Sequence, residues 1–263
     1  MRMPTIYIPH GGGPWPWLKD FGGPGAMDSL RAYLAALPAA LPAPPAAILC
    51  VTAHWEAATP TVSAAARPGM LYDYSGFPAH TYQLSWPAPG SPAVAARVRE
   101  LLGAAGIAAA EDTERGYDHG TFVPLAVSWP DADVPTVQLS LVRGLDPAAH
   151  LRIGRALRPL RDEGVLIVGS GMSYHNMGGY NTARGVRDAM IFDAWLSDVV
   201  RDPERRDDAL TRWREAPSGP ASHPREEHLL PLMVVTGAAG DDAGSLPYQD
   251  TILGTRVSAV QYG

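Results

Sequence analysis

The chain has 263 residues but only one cysteine and one lysine, Cys50 and Lys19. A single thiol excludes intrachain disulfides and cysteine-built zinc sites. The net charge is −6, and the arginines are scattered apart from a short cluster at Arg201, Arg205 and Arg206. That balance removes the basic face that nucleic-acid binding needs, so no nucleic-acid partner is expected. No apolar run approaches the ~20 residues of a membrane span, and none is expected. The opening MRMPTIYIPH lacks the charged, apolar and small-residue order of a secretory signal, which points to a cytoplasmic protein. A P-loop, a dinucleotide fingerprint and a serine nucleophile elbow are also missing. GSGMS sets glycines around a serine without the required order.

What is present suits a packed core. Hydrophobic residues make up 46% of the chain and charged residues 18%, a balance that disordered chains do not have. Apolar, β-branched runs predict strands at about 5–9, 46–53, 61–65, 134–141, 165–169 and 256–261. Ala/Leu-rich stretches with helical spacing predict helices at about 26–37, 92–104, 147–160, 186–200 and 226–238. This alternation predicts a single α/β domain over 1–263, with a mainly parallel central sheet and helices on both faces. The Gly/Pro-rich stretches after the first strand and around 60–90 read as site-forming loops, since no repeat or linker composition separates two halves.

The informative residues are histidines. His10 ends TIYIPH before three glycines, His54 ends AAILCVTAH, His175 follows VLIVGSG, and His228 lies in EEHLLPL. Singly, each is as well explained by a strand-capping or backbone-bonded imidazole. Two strands ending in histidine on one sheet edge favour a shared metal instead, because imidazole is the commonest ligand for Zn, Fe and Cu. Strand carboxyl ends also converge on the crevice where open α/β sheets bind ligands. Pro231 tolerates a helix only near its first turn, which places His228 close to a helix N-terminus. His119 follows Asp118 in YDHG, so Asp118 is a candidate to fix its tautomer, as Asn176 is to orient His175. His80, His150 and His223 read as background, and Cys50 as a buried small hydrophobe.

Six segments in order, IPHGGGP, VTAHWE, YDYSGFP, YDHGTFVPL, GSGMSYHNMG and EEHLLPLMVVTGAAG, together resemble the class III extradiol ring-cleaving dioxygenases. The nearest branch is the DOPA 4,5-dioxygenase type. The resemblance implies that His10, His54 and His228 are metal ligands, and that His175 is an acid–base group able to approach the metal as a fourth ligand. It implies a second pocket histidine at His119, and places Tyr72, Asp73 and Tyr74 of YDYSGFP at the substrate mouth. Fe(II) is expected in the active enzyme, and Zn(II) suits the same nitrogen site. The implied partners are a small catechol substrate and O2, with a homo-oligomer left open. Two alternatives remain on the residues alone. One is a non-catalytic metal- or peptide-binding protein on the same fold. The other is a zinc-dependent hydrolase, given Glu56, Glu226 and Glu227 near candidate ligands.

Overall fold

β-Branched runs that bury both faces form the centre of the molecule. In the computed structural model, which describes residues 2–263, the strands are β1 (Thr5–Pro9), β2 (Ala47–Ala57), β3 (Thr61–Ser63), β4 (Ala110–Asp112), β5 (Thr136–Val142), β6 (Val165–Gly171), β7 (Gly244–Ile252) and β8 (Thr255–Tyr262). They form one sheet in the order β4-β3-β5-β2-β6-β1-β8-β7. The central β5, β2, β6 and β1 are mutually parallel, while β8 runs antiparallel to β1 and to β7. Side chains alternate between two cores as a period of two requires. Ala47, Leu49 and Val51 of β2 enter one core, and Ile48 and Cys50 enter the other.

The helices are α1 (Asp28–Ala40), α2 (Pro92–Ala104), α3 (His119–Ser128), α4 (Pro147–Leu157), α5 (Ala183–Val200), α6 (Arg206–Thr211), α7 (Gly219–Ser222) and α8 (Leu230–Ala239). Residues of α1 and α3 pack into the core with Ile6, Ile8 and Cys50. Those of α2, α4, α5 and α8 pack into the opposite one. Helices therefore cover both faces, as the alternation predicts. Asp146 caps α4 by accepting from Ala148 N, with Pro147 in the first turn. Buried Arg161 donates to the carbonyls of Ala238 and Ala239 and to Met3 O, satisfying the end of α8 and fastening it to the start of β1.

Two differences from the sequence expectations matter for the site. The helix expected from 226 begins at Leu230, because Pro231 must lie in its first turn; residues 227–229 form a separate turn before it. The helix-like run TFVPLAV after Asp118 lies in a helix, α3, with Asp118 as its N-cap. Strand β7 was not anticipated, since Pro247 and the polar residues of GSLPYQDTI mask its alternation; it forms an edge hairpin with β8. Edge strands tolerate proline because one side of their ladder is free. No helix among the described residues is long and apolar enough to cross a membrane.

Candidate metal centre and its cavity

Five of the eight histidines line one cavity at the carboxyl ends of the parallel strands: His10, His54, His119, His175 and His228. His10 follows directly on β1. His54 sits where β2 falls out of register with β5 between Val51 and Glu56. Such a bulge re-aims a side chain that a regular strand would leave in the ladder. His175 is on the loop after β6, His119 opens α3, and His228 lies in the turn before α8. The close approach at Gly120 is obligatory, because a Cβ there would stand 2.7 Å from the His54 ring and 2.8 Å from Thr52 Oγ1.

Oxygen acceptors take the Nδ1 side of these rings. Ser170 Oγ gives its proton to Gly120 O, so it accepts from His10 Nδ1 at 3.1 Å. Asp73 Oδ1 accepts from His119 Nδ1 at 2.8 Å and from its backbone N at 2.9 Å, and Asp73 Oδ2 lies 3.6 Å from His54 Nδ1. Glu227 Oε1 accepts from His228 Nδ1 at 2.9 Å and lies 3.2 Å from His175 Nδ1. Ionised carboxylates only accept, so in His119, His175 and His228 the proton sits on Nδ1 and the Nε2 lone pair is left for the cavity. Tyr7 Oη and Met172 N both donate to His228 O, which fixes the turn that carries this residue.

The donor set fits a metal ion. The ring centroids of His10, His54 and His228 stand 4.9, 5.1 and 4.9 Å apart, close to an equilateral triangle. His10 Nε2 and His54 Nε2 are 3.2 Å apart. Two nitrogens bonded to one ion at ~2.0–2.1 Å would be about 2.9 Å apart at a right angle and about 3.4 Å apart at the tetrahedral angle. The observed spacing falls between these. His10 donates from Nδ1 and so turns its Nε2 lone pair toward His54 Nε2; the contact is favourable with a cation between the two nitrogens or with the His54 proton on Nε2. Two groups that share no residue each have ligand atoms within 4.8 Å of one another: His10, His54 and His119, and His175, Glu227 and His228.

Burial keeps His10, His54 and His228 neutral. Burial, reinforced by the neighbouring imidazoles, holds His10 and His54 well below the usual histidine range. Burial also pushes His228 down to about 4, although Glu227 opposes it. A neutral imidazole is the form that binds metal. Burial opposes ionisation of Glu227, yet the hydrogen bonds from His175 and His228 outweigh it and hold this carboxyl far below its usual value. Asp73 is lowered for the same reason, burial being outweighed by His119.

Two supporting assignments made from sequence are corrected by these contacts. Asp118 does not reach the His119 ring: it is fully buried, accepts from Thr52 Oγ1 and Arg115 at 2.8 Å each, and caps α3 through Thr121 N. Asn176 donates to Ala221 O rather than orienting His175. Asp73 and Glu227 fill those places. Tyr72 and Tyr74 stand behind this layer and do not line the cavity, with hydroxyls donating to Leu84 O and Thr81 O at 2.5 Å each. His150 and His223 are buried and bonded to backbone, and exposed His80 contacts Trp17 O. Glu56 and Glu226 are paired with Arg225 and Arg214, which leaves neither free as a hydrolytic base.

A crevice at parallel strand ends, floored by imidazoles, defines a metal-dependent α/β enzyme. Residues 7–258 match the family described as the catalytic LigB subunit of aromatic ring-opening dioxygenase. The chain belongs to that family. It is 40% identical to dioxygenase tasH of Hapsidospora irregularis, over 99% of this chain and 85% of that one. It is 45% identical to a 4,5-DOPA dioxygenase extradiol of Portulaca grandiflora, over 76% and 75% of the two chains. The protein of that name from Escherichia coli (strain K12) is 34% identical over 100% of this chain and 95% of its own. A crystal structure of an uncharacterized protein from Escherichia coli K12 superposes over 100% of both chains with a TM-score of 0.76 and 31% identity. Ring-cleaving dioxygenase chemistry is thus supported across the whole fold.

Proposed function

We propose that this protein opens the ring of a catechol-type substrate with O2, beside its hydroxyl pair, using Fe(II) held by His10, His54 and His228. The observation that carries the reading is the near-equilateral triangle of those three rings. His119 also brings a ligand atom within 4.8 Å of those of His10 and His54, but its ring is off-centre, 3.9 Å from His54 and 5.6 Å from His10, and Asp73 holds both its Nδ1 and its backbone N. Oxygenation needs a redox-active ion; Zn(II) suits the same donors without that capacity. When bound, the ion supplies an anchor for both catechol oxygens and lowers their pKa.

The remaining work falls to side chains. His175, its Nδ1 turned to Glu227, has Nε2 free to take a hydroxyl proton from the substrate and to return one later. Its ring stacks on His228 at 3.4 Å, which also lets it join the metal as a fourth ligand before substrate enters. His119, backed by Asp73, faces the ring from the other side and positions it or relays a proton. Tyr72 and Tyr74 buttress this layer from behind, with Asp73 between them. The whole chain, 1–263, acts as one catalytic domain.

The test is anaerobic loading with Fe(II), then oxygen uptake and visible absorbance with a panel of catechols. Oxygen consumption with a new yellow, semialdehyde-type product is expected. His175→Ala is expected to keep most of its iron while losing turnover. Iron-loaded protein that consumes no oxygen and shows no catechol-dependent spectrum across the panel would sink the reading.

A further inference from the structure

Apart from the histidines and the glycine run at 11–13, the cavity wall is made by Phe21, Met172, Met177, Tyr180, Ile252 and Leu253. No lysine, arginine, aspartate or glutamate lines it among the described residues. Tyr180 offers no free donor to a carboxylate, because its hydroxyl donates to Tyr174 O at 2.9 Å. The guanidinium groups near the site are engaged elsewhere. Arg225 pairs with Glu56 at 2.6 Å and Glu227 at 3.4 Å, and Arg115 pairs with Asp118 at 2.8 Å while stacking over Trp55. The cavity holds about 190 Å³, below the ~300–1,000 Å³ of sites for drug-sized ligands, which suits one ring with a short substituent.

The hairpin between β7 and β8 supplies part of this wall at a conformational cost. Leu253 has φ 48° and is followed by Gly254 at φ 77°. Asn-Gly is the favoured pair for such a two-residue turn, and a leucine there is strained. Its side chain packs against Gly22, and Leu253 O accepts from Asn181 N at 3.0 Å, tying the hairpin tip to the loop that carries His175. Strain kept at a pocket wall is an observation from which a role can be sought.

We propose that this site selects catechols bearing an uncharged, hydrocarbon-like substituent over carboxylated ones, and that Leu253 is a specificity-determining residue for that choice. The inference rests on the ring-opening reading above. A carboxylate on the substituent would lose its water against six side chains that cannot replace it. An alkyl group would instead gain by burial. Amino-acid substrates such as DOPA, named for several relatives, carry two charges that this wall leaves unpaired.

The experiment is anaerobic equilibrium titration of the iron-loaded protein, read by tryptophan fluorescence, with 4-ethylcatechol, 3,4-dihydroxybenzoate and DOPA, followed by kcat/KM in air. 4-Ethylcatechol is expected to bind at least about tenfold more tightly than either charged compound. Leu253→Asn relieves the turn and so keeps the fold, while wetting the wall. It is expected to shrink that ratio to about threefold or less, and Leu253→Arg to tighten 3,4-dihydroxybenzoate. Equal or tighter binding of the charged compounds by the unaltered protein would overturn the inference and leave ring opening standing. An unchanged ratio in Leu253→Asn would remove Leu253 from the role. Failure of every catechol to bind or turn over would instead overturn the ring-opening reading, and this inference with it.

Discussion

Two carboxylates hold four of the cavity's histidines, and they do so differently. Glu227 uses one oxygen for two imidazoles, at 2.9 Å from His228 and 3.2 Å from His175, and those rings stack at 3.4 Å. Asp73 divides its oxygens, giving Oδ1 to the ring and backbone of His119 and leaving Oδ2 3.6 Å from His54. The Glu227 unit is therefore a coupled block in which a proposed ligand and the proposed acid–base group share one anchor. The Asp73 unit is looser, and its stronger grip is on the residue that is not proposed to bind metal. Against the opposing effect of burial, hydrogen bonds from His175 and His228, with the electrostatic effect of His228 beside them, depress Glu227. Position in the chain and strength of support are thus separable: Glu227 is next to His228 in sequence, whereas Asp73 grips His119 at 2.8 Å from 46 residues away.

The largest expected effect separates these units. Glu227→Ala releases both His175 and His228, and loss of such a support typically costs ~10–100-fold in metal affinity. The upper half of that range is expected here, together with a fall in kcat. Asp73→Ala is expected to cost about tenfold or less in affinity, its main effect being on turnover through His119. Competitive metal titration beside steady-state kinetics would rank the two. If Asp73→Ala lost more metal than Glu227→Ala, the asymmetry drawn above would be wrong.

A second test uses pH, with the metal-free protein and thermal denaturation. Folded His10, His54 and His228 have lowered pKa values, so between about 4 and the ordinary value of about 6.5 the unfolded chain binds more protons than the folded one. Stability is then complete above about 6.5 and falls as the pH drops toward 4. The His228 shift alone amounts to on the order of 3 kcal/mol, or roughly 10 °C in melting temperature for a chain of this size. His223, which burial pushes down to about 3 away from the cavity, extends the same loss to lower pH. Asp73 and Glu227 add a further loss once the pH passes below their ordinary carboxyl values. In His228→Gln the slope between pH 6.5 and 4 should flatten; an unchanged slope would place the acid sensitivity elsewhere.

The sequence carried the strand ends and the histidines that follow them because both are local signals. A β-branched run that stops at His10 or near His54 can be read directly, and the period of two that buries β1, β2 and β6 on both faces needs no tertiary information. The supports were not legible in the same way. Asp118 is adjacent to His119, yet helix capping claims it, since its oxygen is needed by Thr121 N. Asp73 wins the ring only because the loop after β3 folds back over α3, a contact with no sequence periodicity. Glu227 was visible beside His228, but its reach to His175 depends on how the turn before α8 meets the loop after β6. The apolar wall was missed for a related reason. Its hairpin arm, β7, is an edge strand whose polar residues face solvent and whose proline disguises the alternation.

The smallest effect would sharpen the same contrast between neighbours in sequence and neighbours in space. Asn176 follows His175 directly, but its amide donates to Ala221 O at 2.8 Å, and its Oδ1 accepts from Gly178 N at 3.1 Å. Its work is to hold the loop after β6 against α7. Asn176→Ala should therefore cost about 0.5–1.5 kcal/mol of stability, the usual net worth of a protein hydrogen bond. It should leave metal affinity and the pH profile of turnover unchanged within about twofold, because Glu227 and not Asn176 holds the His175 ring. A shift in the pH profile without loss of stability would reverse that assignment. It would return His175 to the partner its position in the sequence first proposes, with Glu227 serving His228 alone.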